Sequence, residues 1–228
     1  MGRGTYGCAC RSLICPHAGS RLGMTSVNLT KIVCVGRNYV DHAKELGNEV
    51  PKEPLIFLKP PSSLVADGQP IRLPSVSKQV EYEGEIGVIV GQKLCRVDEK
   101  QARAAILGIA AVNDVTARDL QKSDNQWTRA KGFDTFCPVG VPGETPADLG
   151  SLEVVTRVNG QERQRGKASQ MAFSIPMLLS YISNIMTLEP GDLVCTGTPA
   201  GVGTLKAGDE VEIEVVGVSR VLNTVIGD

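Results

Sequence analysis

The chain has 228 residues, room for one good-sized domain. Its 24 basic and 25 acidic residues leave a formal net charge of -1, so it has neither the basic footprint of a nucleic-acid binder nor a bias toward an anionic membrane. Hydrophobic residues make up 42% and aromatics 4%, and no apolar run approaches the roughly 20 residues of a membrane helix, which points to an aliphatic, sheet-rich domain that does not span a membrane.

Residues 1–23 form a leader rich in Gly, Arg, Ser and Cys, with no acidic residue before Asp41. It lacks the apolar stretch of a secretory signal, and its Arg content weakly resembles a transit peptide. The adopted reading is a disordered leader ahead of Met24, followed by a single domain over residues 24–228. Cys8, Cys10, Cys15 and His17 cluster there, but their spacing fits no common zinc pattern and no second ligand pair follows. The other cysteines, Cys34, Cys95, Cys137 and Cys195, stand singly in apolar company and read as buried, reduced thiols of a cytoplasmic protein.

Strands are expected over Ile32–Val35, Leu55–Leu58, Val80–Val90, Gly108–Val112, Leu152–Val158, Leu193–Thr196 and Glu210–Val216, where apolar residues run between Pro and Gly turns. Asn159–Gly160 suits a hairpin turn that needs positive φ at both positions. Asp98 caps a helix expected to reach about Leu107. Ser174 opens a second helix, with Pro176 in its first turn. Its apolar stripe of Met177, Leu178, Tyr181, Ile182 and Ile185 reads as core.

Residues 80–90 read VEYEGEIGVIV. Alternation along one strand puts Glu81, Glu83 and Glu85 on one face. Three neighbouring carboxylates repel unless water screens them or a cation joins them. Hard divalent ions take oxygen ligands of this kind. The apolar continuation, and Gly84 and Gly87 as points of close approach, favour the cation. Asp114, where an apolar run ends, either completes such a site or caps the following segment. His42 is the sole imidazole outside the leader, and Glu45 stands three residues on. By spacing alone this is a weak surface pair or a proton-transfer dyad, the former being commoner. TGTPAGVG lacks a following Lys-Ser/Thr and is no nucleotide loop.

Several segments in order, VGRNYVDHAKEL, PLIFLKPPSSL, YEGEIGVIVG, NDVTARDLQ, AKGFDTFCPVG, FSIPMLLSYIS and LEPGDLVCTGTPAGVG, closely resemble the fumarylacetoacetate hydrolase family, in particular its short acylpyruvase-like branch. The resemblance covers about Lys31 to Ile226. It implies a mixed β fold, a β-roll or β-sandwich-like arrangement with a few peripheral α-helices, normally a homodimer. It implies metal ligands Glu83, Glu85 and Asp114 for Mg2+ or Mn2+, with no ligand role for Glu81. His42, Glu45 and Lys131 fall on catalytic positions, and Arg37, Gln121 and Thr198 on substrate-binding ones. The His42 segment acts in the family as a lid.

The implied activity is hydrolysis of acylpyruvates, 2,4-dioxo acids such as fumarylpyruvate or acetylpyruvate, through a metal-stabilised pyruvate enolate. Alternatives are an oxaloacetate decarboxylase or keto–enol tautomerase, a decarboxylase/isomerase or hydratase of aromatic-acid breakdown, and a non-catalytic homologue that binds a small acid. The expected partners are a small 2-oxo acid and a second copy of the chain, with no nucleic acid and no membrane. The expected location is the cytoplasm, or the mitochondrion if the leader is a transit peptide.

Overall fold

A computed structural model of the protein describes residues 12–13, 27–45, 47 and 51–228. The cysteine and histidine cluster of the leader lies outside the described residues. Ser12–Leu13 of the leader pairs antiparallel with Val27–Asn28, which follows Met24.

The Val- and Ile-rich runs build a seven-stranded mixed sheet in the order Leu55–Lys59, Ile32–Gly36, Leu193–Cys195, Gly84–Val90, Ile106–Asn113, Cys137–Val139, Leu64–Ala66. A five-stranded sheet packs against one face, in the order Gln161–Lys167, Glu153–Val158, Glu210–Val215, Ser219–Gly227, Ile71–Leu73. Alternation assigns the faces. Val33, Val35, Ile86, Val88, Ile109 and Ala111 join Val154, Ile213 and Val221 in the main core between the sheets. Ile32, Cys34, Ile89, Ala110, Val112, Leu193 and Cys195 point the other way and form a second apolar cluster with Cys137. Gly84–Val90 is therefore buried on both faces. The expected mixed-β fold with few helices is the one observed.

The local expectations need four corrections. The run 80–90 is two strands: Val80–Tyr82 belongs to a small three-stranded sheet, and the large sheet begins at Gly84. Asp98 does cap its helix, in a reciprocal box with Gln101, but that helix ends at Ala104 because Ile106 pairs with Val90. The Ser174-capped helix buries Ile175, Leu178, Leu179 and Ile182, while Ile185 faces solvent. Cys34, Cys137 and Cys195 are buried as expected, but Cys95 is exposed. The hairpin at Asn159 and Gly160 has φ of 52° and 74°, both positive as that turn requires.

Candidate active site

The site forms at one end of the large sheet, above the second apolar cluster. Glu85 continues the row that holds Gly87 and Ile89, and so points to that side. Glu83 lies in the break between its two strands. The Asn113 side chain accepts from the Glu83 N–H at 2.9 Å, and the Asp114 N–H donates to the Glu83 carbonyl at 2.9 Å. These two bonds lock both carboxylate-bearing segments together. Glu83, Glu85 and Asp114 each bring an oxygen within 4.8 Å of the others, and all three are buried.

Buried charges need partners. Lys131 Nζ donates to Glu83 at 2.9 Å and to Asp114 at 2.6 Å, with the Phe57 ring 4.9 Å from it. Lys59 Nζ donates to the other Asp114 oxygen at 2.6 Å. Arg118 bonds Glu81 at 2.7 Å and also reaches Glu83 and Gln121. Burial opposes charge on Glu83, but Lys131 and Arg118 outweigh it and hold the carboxyl below its usual range. Burial likewise opposes charge on Lys131, and Asp114 and Glu83 keep its ammonium charged. Glu85 is different. It accepts from the Gly197 N–H at 2.8 Å and has no cationic hydrogen-bond partner among the described residues. Burial, then Asp114 and Glu83, push its carboxyl well up.

Four buried acids (Glu81, Glu83, Glu85, Asp114) thus face three buried bases (Lys59, Arg118, Lys131). An all-oxygen set with one carboxylate lacking a cationic hydrogen-bond partner fits a hard divalent cation. Glu81 belongs to the small three-stranded sheet, is bonded by Arg118 and Gln79, and lies outside the triad.

These three carboxylates face a cavity of about 300 Å³, which His42, Arg37, Gln121, Lys131 and Thr198 also line. His42 sits on the short helix Val40–Glu45, its Nδ1 3.2 Å from Glu45 Oε2. Glu45 is held in turn by the Gly201 N–H at 3.0 Å. With Nδ1–H donated to Glu45, the His42 Nε2 lone pair is the free one. Glu45 stands behind the histidine, outside the cavity lining. Arg37 adopts a left-handed backbone, φ 59°, at the strand end. Phe57 and Trp127 form an edge-to-face wall with ring centres 5.2 Å apart.

Sequence reasoning brought out nine site residues and missed Lys59 and Arg118. Their signals were a lysine closing an apolar strand and an arginine four residues after Asp114. Asp114 does not cap the helix Arg118–Ser123, whose capping residue is Ala117.

The fumarylacetoacetate (FAA) hydrolase C-terminal family matches this chain over residues 31–226. The protein belongs to the fumarylacetoacetate hydrolase family. Among its relatives, the mitochondrial oxaloacetate tautomerase FAHD1 of Arabidopsis thaliana is 48% identical over 84% of this chain and 89% of its own. The mitochondrial oxaloacetate decarboxylase of Dictyostelium discoideum is 45% identical over 82% of this chain and 89% of its own. The fumarylpyruvate hydrolase of Pseudomonas aeruginosa, solved with Mn2+ and pyruvate, superimposes with a TM-score of 0.84 at 29% identity, covering 96% of this chain and 97% of that one. The fold and the acidic triad are thus those of a fumarylacetoacetate hydrolase family enzyme with a divalent-metal site.

Proposed function

We propose that this protein is a Mg2+- or Mn2+-dependent enzyme of small 2-oxo acids, and that its main reaction is enolisation or decarboxylation of oxaloacetate. The observation that carries the reading is the buried triad Glu83, Glu85 and Asp114 facing one cavity with His42. The relatives named for oxaloacetate chemistry, at 48% and 45% identity, support this choice of acid.

Glu83, Glu85 and Asp114 would hold the divalent cation, which would supply Lewis acidity against the negative charge of the enolate. The chain's own residues do the rest. His42 Nε2, backed by Glu45, moves a proton at the substrate carbon next to the oxo group. Lys131 holds positive charge where an oxyanion grows. Phe57 and Trp127 keep water from one wall. Arg37, Gln121 and Thr198 orient the acid.

Acylpyruvate hydrolysis, the first expectation from sequence, is the second reading. It is supported by the His42–Glu45 pair, which also suits water activation, and by the fumarylpyruvate hydrolase neighbour. A screen of oxaloacetate, enol-oxaloacetate, acetylpyruvate and fumarylpyruvate with added Mg2+ or Mn2+ separates the two by kcat/KM. The largest value is expected for oxaloacetate interconversion. A larger value for an acylpyruvate transfers the conclusion to hydrolysis, and no turnover of any of them sinks both.

We propose a homodimer located in the cytoplasm as the working form. Light scattering tests the dimer, and tagging the intact chain separates the cytoplasm from a mitochondrial address in residues 1–23. No helix among the described residues is long and apolar enough to cross a membrane.

A further inference from the structure

We propose that Gln164 is a positioning residue that sets the metal-ligand strand and Thr198 through one buried side-chain amide. Nothing in its own segment announces this. Gln161–Lys167 reads QERQRGK, a polar edge strand in which only Gln164 and Gly166 are buried. Yet Gln164 is 2% exposed, and its amide makes four hydrogen bonds inside the protein.

Its Oε1 accepts from the Gly84 N–H at 3.0 Å and from Thr156 Oγ1 at 2.8 Å. Its Nε2 donates to Thr198 Oγ1 at 2.8 Å and to the Pro199 carbonyl at 2.8 Å. The orientation of the amide is forced, because a backbone N–H can only donate and a backbone carbonyl can only accept. Thr198 Oγ1 receives the Gln164 proton, so its own proton goes to the Gly84 carbonyl, 2.9 Å away.

Gly84 separates the ligands Glu83 and Glu85. Both of its backbone polar groups are therefore held, the N–H by Gln164 and the carbonyl by Thr198 under Gln164's control. A Cβ on Gly84 would lie 2.0 Å from Thr156 Oγ1, so the second sheet touches the ligand strand here with no room for a side chain. Rotation of the Gly84 peptide would re-aim both glutamates. The same amide commits the Thr198 hydroxyl proton to the protein. Thr198 lines the cavity and keeps one hydroxyl lone pair, and its backbone N–H has no hydrogen-bond partner among the described residues.

The proposal rests on the metal-enzyme reading, and its test separates the two. Mn2+ alone is titrated into the full chain by electron paramagnetic resonance, and KM and kcat are then measured on the 2-oxo acid the wild type turns over best. Gln164→Met keeps length and loses all four bonds; Mn2+ affinity should fall about tenfold or more, and KM should rise. Gln164→Glu keeps the acceptor half; Mn2+ affinity should stay within about threefold of wild type while KM rises about tenfold. A purely structural role would lower the melting temperature of both variants without this split between metal affinity and KM, and that pattern overturns the proposal. Should Gln164→Met and Gln164→Glu both fail to fold, Thr156→Val removes one donor from the amide, and unchanged Mn2+ affinity and KM in that variant overturn it. A wild type that binds no Mn2+ and turns over no acid sinks the functional reading instead.

Discussion

A buried carboxylate stands at each end of the Gly84–Val90 strand: Glu85 at the cavity end, and Asp192 beside Val90 at the other, where the Val90 N–H donates to the Asp192 carbonyl. Asp192 is saturated. It accepts from the Thr30 N–H at 3.0 Å and hydroxyl at 2.6 Å, from the Lys31 N–H at 3.0 Å and ammonium at 2.5 Å, and from the Glu189 N–H at 2.8 Å. Burial works to raise its pKa, but the donors from Lys31, Thr30 and Glu189 prevail and keep the carboxyl below its ordinary range. Glu85 has one N–H donor and two carboxylate neighbours, and its carboxyl moves the opposite way. A buried acid supplied with donors fastens chain segments together. One denied them is costly unless a cation arrives, and that shortage marks the functional end of the sheet.

The sharpest way to break this contrast is Glu85→Gln. Metal-dependent turnover should fall by about a thousandfold or more. The melting temperature of the metal-free protein should hold or rise, because the substitution replaces a buried carboxyl whose ionised form is disfavoured there by burial and by Asp114 and Glu83. Retained turnover, or a melting point lowered by many degrees, would put Glu85 in the same class as Asp192. The converse is Asp192→Ala, which should cost about 2–4 kcal/mol in urea unfolding, since several donors lose their acceptor. Turnover per folded molecule should stay within about twofold, which is the measure of a purely structural acid.

The pH dependence is a smaller effect. The folded-state pKa of Asp192 is depressed, so its contribution is present above the unfolded value, about 3.9, and is lost as pH falls through the folded one. Acid unfolding curves of wild type should be steeper below about pH 4 than those of Asp192→Ala. Equal slopes would mean that the donors do not favour the ionised form. The smallest effect is expected from starting the chain at Met24. The clamp begins at Thr30 and the site residues begin at Arg37, so stability and turnover should be unchanged. A large loss of either would give residues 1–23 a structural or functional role.

The donor-rich end and the donor-poor end were not equally readable in the amino-acid order. Asp192 sits in LEPGDLVC and looks like any turn aspartate, because its partners at Thr30 and Lys31 are 162 and 161 residues away. Glu83 and Glu85 were conspicuous because like charges recurred in one apolar run, a pattern with a local cost. The same alternation put Glu81 on one strand with them, but the change of sheet at Glu83, which nothing in the letters showed, leaves it beside Glu83 on Arg118 and outside the triad. Lys59 and Arg118 went unassigned for the same reason: each meets its acid only across a fold, 55 and 37 residues away. The strand Ser219–Gly227 was missed as well. Its inward positions include Ser219 and Asn223, and its apolar residues fall in adjacent pairs that show no clean period of two.

By itself the sequence determined what short-range chemistry dictates. The Val and Ile runs had to become strands, Asp98 and Ser174 had to open helices, Asn159–Gly160 had to turn, and acids on an apolar strand had to find a cation or water. Only the tertiary structure decided which acid is left without a cationic hydrogen-bond partner, which bases flank the site, and that a glutamine on a polar edge strand reaches Gly84 and Thr198. Charge compensation and burial are sums over neighbours in space, and most of the neighbours that matter here are brought together by strand order rather than by proximity along the chain.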